Sequence, residues 1–185
     1  MILSHRSSSV ILRTLFTSNI ANGAELNPAY GNGGGLYSIV DSNVIIIQSE
    51  FTLNRATYGR GGGLYSEYGS IMKNDTKFNM NTAQYGGALN LRSEKKSAIR
   101  NSSFFKNIAN DGGGIFFRSI PPFNPIVLKD SIFVENSALG RGGAIFATNC
   151  LGGGIVTTMC FFHNCSADTG GTMLLENSNL ILNAS

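Results

Sequence analysis

The chain has 185 residues, only 14% of them charged and 42% hydrophobic, with 23 glycines and a net charge of +3. An average globular domain carries roughly 25% charge and about 7% glycine, so this composition points to a turn-rich all-β protein and away from long helices. The basic residues are scattered, the densest cluster being Lys95-Lys96 beside Glu94. No basic stripe is present to neutralise a nucleic-acid backbone, and no apolar run reaches the roughly 18–20 residues of a membrane helix.

In chain order, the opening segment Val10–Phe16 aligns with Ile45–Phe51, so the register places the first residues inside a repeat. A Phe then stands three residues before an Asn at Phe16/Asn19, Phe51/Asn54, Phe78/Asn81, Phe104/Asn107, Phe133/Asn136 and Phe161/Asn164. The steps from one Phe to the next are 35, 27, 26, 29 and 28 residues. After each pair comes a Gly-Gly, at Gly33, Gly61, Gly86, Gly112, Gly142 and Gly170, followed by an aliphatic position. The closing Asn179–Leu182 matches Asn43–Ile46, again inside a repeat. The expectation is a single segment, residues 1–185, of a longer repeat domain, with further rungs of the same chain as neighbours. Such periods describe units that bury their apolar faces only against one another.

Each unit reads as short strands separated by turns. The position just before the Phe holds Leu15, Glu50, Lys77, Ser103, Ile132 or Cys160. A site that accepts both Glu and Lys faces water, so the Phe, one step along a strand of period two, faces inward. The residue two before the Phe is small or polar in most rungs: Thr14, Ser49, Thr76, Ser102 and Ser131, then Met159. The Asn falls where the strand turns, since Asn tolerates left-handed geometry, and stacked amides bond one another as a ladder. Two residues on lie Ala21, Ala56, Ala83, Ala109 and Ala138, with Ser166 sixth, which implies a tight inward site. The Gly-Gly pair marks a bend where backbone meets backbone. After it the inward aliphatic is Leu36, Leu64, Leu89, Ile115, Ile145 or Met173. Two or three strands per unit are too few for a propeller blade, and Gly-Gly with β-branched runs disfavours helical repeats. The predicted fold is an all-β parallel β-helix, a solenoid of about six rungs of roughly 25–30 residues each.

The combination F-x-x-N with G-G-[AGT]-[ILM] resembles the repeats of chlamydial polymorphic outer-membrane proteins, and the likeness runs over the whole chain. The resemblance implies a right-handed, pectin-lyase-like coil that is secreted or displayed at the cell surface or outer membrane. It implies an adhesin-like passenger or stalk that contacts a glycan or protein on a host or neighbouring cell. The C-terminal membrane barrel and the export signal of such proteins have no counterpart in these residues.

Pectin-lyase folds also carry polysaccharide lyases and hydrolases, so the alternative is a fragment of a carbohydrate-active enzyme. Lyases need carboxylates clustered for Ca²⁺ and a base; hydrolases need paired acids. The acids here recur at no common rung position, although Asp111 and Asp168 precede a Gly-Gly pair where other rungs have Asn32, Arg60, Tyr85 and Arg141. No catalytic residue and no cofactor is expected. Cys150, Cys160, His163 and Cys165 match no recurrent zinc spacing, so no metal is expected; Cys160–Cys165 or Cys150–Cys160 could pair in an oxidising compartment. Sequons stand at Asn74, Asn101, Asn164 and Asn183, with Asn164 expected to be locked in the ladder. The expected contact surface is an outward aromatic strip, Tyr37, Tyr65, Phe116 and Phe146. Two long turns are the second candidate: Ala24–Gly31, and the stretch holding Pro121, Pro122 and Pro125.

Overall fold

A computed structural model describes residues 1–4, 6–23, 31–93, 95–151 and 154–183. They form a parallel β-solenoid of about five turns, close to the six rungs expected, with no helix among the described residues. Each turn passes through four short strands that stack into four walls, and every strand pair is parallel. Wall one holds Leu36–Ile39, Leu64–Glu67, Leu89–Arg92, Ile115–Arg118, Ile145–Thr148 and Met173–Glu176, with Ile2–Leu3 beneath. Wall two runs from Ser8–Leu12 and Asn43–Ile47 to Leu180–Asn183. Wall three runs from Leu15–Thr17 to Phe161–His163, and wall four from Ile20–Ala21 to Ser137–Arg141.

Registered stacking turns each repeat position into a column. Phe16, Phe51, Phe78, Phe104 and Phe133 stack ring on ring, with centroids 4.5–5.0 Å apart and planes within 8°. The four from Phe51 to Phe133 are fully buried. Beside them each Asn Nδ2 donates to the next Asn Oδ1: 2.8 Å from Asn19 to Asn54, then 3.0, 3.0 and 2.9 Å up to Asn136. The same amide also donates to a Phe carbonyl, as Asn107 does to Phe78 at 2.9 Å. Such complete pairing offsets the desolvation cost of holding a polar residue inside the shaft. A second ladder runs through the small polar column: Ser102 Oγ donates to the Arg100 carbonyl (2.7 Å) and accepts from the Thr76 N–H (3.3 Å), and Ser131 repeats the pattern.

The sixth rung corrects the expected register by one residue. Phe133 pairs with Phe162, and their rings stack at 4.9 Å, while Phe161 aligns with Ile132 and is exposed. Cys165, not Asn164, takes the ladder position, accepting from Asn136 Nδ2 at 3.9 Å. Cys160 continues the small polar column, its Sγ 3.6 Å from the Thr158 carbonyl, and the bridge between Ser137 and Ser166 brings Ala167, not Ser166, to the alanine file. Phe162, Cys165 and Ala167 keep the spacing of Phe133, Asn136 and Ala138; Phe161-x-x-Asn164 is a coincidental match displaced by one. Asn164 therefore lies exposed at a corner, with φ +49°.

That corner shows a second difference. The left-handed residue at the bend between walls three and four is the one before each ladder amide: Ser18, Leu53, Met80, Lys106, Glu135 and Asn164. Another such file, Arg13, Gln48, Asp75, Asn101, Asp130 and Met159, turns wall two into wall three. These residues accept positive φ because the strain of roughly 1 kcal/mol is offset by unbroken bonding to the next rung, as from Arg13 N to the Ile47 carbonyl at 3.0 Å. The corner between walls four and one differs, since a Cβ on Gly61 would lie 2.1 Å from the Leu64 carbonyl oxygen, and one on Gly62 2.3 Å from that of Gly87. Backbone contact, with φ, fixes glycine there.

Among the described residues, one charged side chain enters the shaft. Lys73 shares an inward file with Ile46 and Ile99, is 1% exposed, and holds its Nζ 5.9 Å from the Phe78 ring centroid.

Candidate functional site

The outer elbow at the glycine corner gathers the richest side-chain chemistry. Two columns meet there. One is the last position of wall four: Arg60, Tyr85, Asp111, Arg141 and Thr169, in register from rung to rung. The other lies on the outward face of wall one and holds the expected aromatic strip: Tyr37, Tyr65, Asn90, Phe116, Phe146 and Leu174.

The strip is brought together, but not as the exposed surface expected. Tyr65, Phe116 and Phe146 are only 1%, 4% and 1% exposed, and Tyr37 is half-buried. The corner column folds over them: Tyr85 packs on Phe116 at 5.5 Å, and the Arg141 guanidinium sits 4.4 Å above the Phe146 ring. Phe116 and Phe146 stack at 5.0 Å, and Tyr37 and Tyr65 meet tilted by 31° at 5.5 Å. The four aromatics thus form a small outer core whose faces are occupied. The Tyr65 hydroxyl donates to Glu67 at 2.5 Å, and burial raises its pKa above the ordinary tyrosine value, with the Glu67 hydrogen bond adding to the shift.

Above this outer core lies a polar groove of about 230 Å³, lined among others by Arg60, Tyr85, Arg118, Arg141, Thr148 and Glu176. Its charges are unequally satisfied. Arg141 is gripped on both sides: Nε and Nη2 reach Asp111 at 3.0 and 2.7 Å, and Nη1 reaches Glu176 at 3.1 Å. One file over, Arg92 pairs with Glu67 at 2.8 Å. Arg118 stands in register between Arg92 and Thr148, and among the described residues it has no ion pair or hydrogen bond from its guanidinium. The acids nearest the groove, Asp111 and Glu176, both serve Arg141. They are joined by an arginine instead of facing a common space, which leaves no paired carboxylates for hydrolysis.

The remaining candidates separate. Cys150, Cys160 and Cys165 are free thiols; Cys150 lies beyond wall one, whereas Cys160 and Cys165 flank opposite ends of the wall-three strand. Burial raises the thiol pKa of both Cys150 and Cys160. His163 points outward beside Phe161, with ring centroids 6.0 Å apart. Among the described residues no group of three His, Cys, Asp or Glu could hold a metal. Asp168 is exposed, and Thr169 takes the position equivalent to Asp111 and Arg141. Of the two long turns, residues 24–30 lie outside the described residues. The proline turn joins Ile115–Arg118 to Ile126–Lys129 and holds Phe123 outward, 91% exposed.

Arg118, Thr148, Asn149 and Glu176 are the groove residues that sequence reasoning missed. The elbow itself was signalled by the column before the Gly-Gly pair, which varies among Arg, Tyr and Asp while the Phe and Asn columns stay nearly uniform, but these residues lie outside that column.

Residues 130–148 match the family model of the Chlamydia polymorphic membrane protein (Chlamydia_PMP) repeat. Over those 19 residues the chain is similar to that repeat. The matched stretch holds Phe133, Asn136, Ala138, Gly142-Gly143 and Ile145, one member of each main column, and strand register places the corresponding positions of the neighbouring rungs beside them. No curated protein and no solved structure matches the chain. No helix among the described residues is long and apolar enough to cross a membrane.

Proposed function

We propose that this chain is a non-catalytic solenoid segment, displayed at a cell surface or outer membrane, that works by contact in the manner of an adhesin. The matched repeat supports the location, since its family is one of membrane proteins. The elbow groove supports the contact role: Arg118 lies partly open with its charge uncompensated, beside Arg60 and Arg141. A cation kept at a solvated groove without a structural partner is available to a ligand. The carbohydrate-active enzyme is the weaker reading, because Asp111 and Glu176 are both spent on Arg141.

The test is adhesion of beads coated with the 185-residue chain to cultured epithelial cells. Arg118→Gln should retain the thermal midpoint and lose most adhesion. Full adhesion by a folded Arg118→Gln protein would remove the groove from the function.

A further inference from the structure

We infer that the elbow groove takes an acidic sugar, a carboxylated or sulfated unit of a polysaccharide, with Arg118 as its anion contact. This rests on the contact role proposed for the groove and names the ligand that role requires. Protein partners are anchored by aromatic or aliphatic side chains that are buried on binding. Here Phe116 and Phe146 are already 4% and 1% exposed, so no apolar anchor site remains. The volume, about 230 Å³, lies below the roughly 300–1,000 Å³ of drug-sized pockets and suits one compact polar unit.

What the groove offers is a mixture of polar groups around one uncommitted charge. The Thr148 hydroxyl and the Glu176 carboxylate can exchange hydrogen bonds with sugar hydroxyls. Arg118 presents a planar donor fork matched to carboxylate or sulfate. Asp111 and Glu176 hold Arg141 over the Phe146 ring, so Arg141 is a positioning residue that shapes the wall while Arg118 meets the anion. The groove runs along the stack, where rungs repeat at roughly 4.8 Å, and a linear polymer can lie along that direction.

The experiment measures binding of the folded chain to immobilised heparin, hyaluronan and neutral dextran at physiological ionic strength, with the cell adhesion assay in parallel. Heparin and hyaluronan should bind and dextran should not, and added salt should weaken both acidic polymers. Arg118→Gln should weaken binding about tenfold or more, with Arg118→Lys intermediate. Lys106→Gln, at a corner between walls three and four, should bind as the unmodified chain does. Equal losses in Lys106→Gln and Arg118→Gln would reduce the binding to general charge attraction and overturn the inference. Adhesion that depends on Arg118 while neither acidic polymer binds or competes would overturn the sugar assignment and leave the groove's contact role standing. Adhesion indifferent to Arg118 would defeat the contact role itself.

Discussion

The Phe and Asn columns of the shaft and the column at the elbow are equally regular, yet the first two are nearly uniform in sequence and the third is not. Inside, a residue has the same neighbour above and below, so the best partner for a Phe ring or an Asn amide is another of its kind. At the elbow Arg60, Tyr85, Asp111, Arg141 and Thr169 follow one another, and contacts form between unlike residues: cation on ring, arginine on acid. Self-stacking selects identity; cross-pairing lets each rung carry its own chemistry. A uniform column therefore marks the scaffold, and a variable column with organised contacts marks where rungs become individual.

Substitutions can break that contrast. Phe104→Ala should have the largest effect, because its ring is fully buried between Phe78 and Phe133; a loss of about 3–5 kcal/mol is expected in denaturant unfolding. Asn107→Ala should cost about 3 kcal/mol, since it orphans the Phe78 carbonyl and the amide partners at Asn81 and Asn136. Asn164→Gly, at the displaced motif, should be neutral or slightly stabilising, because glycine suits a φ of +49°. Equal losses at the two asparagines would restore the register read from sequence. Arg141→Ala should lose only about 1 kcal/mol, because the arginine side chain is 41% exposed even though its partner Asp111 is largely covered. A loss as large as that of Phe104→Ala would make the elbow a second core of equal weight.

Much of the shaft could be read from residues alone. Phe, Asn, Ala and Gly-Gly are each nearly invariant in their columns, and the alternation of the preceding position told inside from outside. The sixth rung was misread because Phe161-Phe162 offers two registers and Asn164 fits the wrong one, although Ala167 and Cys160 fit only the right one. The left-handed corners were invisible, since Ser, Leu, Met, Lys, Glu and Asn share nothing but backbone geometry. Burial of Tyr65, Phe116 and Phe146 depends on a column 5 residues upstream in sequence that changes from each rung to the next. Arg118 gave no signal, because an unpaired charge is defined by partners that other rungs fail to supply.

The corner between walls three and four has a consequence for how such a protein can diverge. Its bend is held by main-chain bonds from one rung to the next, as from Lys106 N to the Val134 carbonyl at 3.0 Å, while its side chains project into water. Selection can therefore rewrite that edge one residue at a time, altering charge, size and hydrophobicity, with little demand on the rest of the coil. A lineage pressed to change its outward appearance has there a margin that it can revise while the scaffold beneath stays the same.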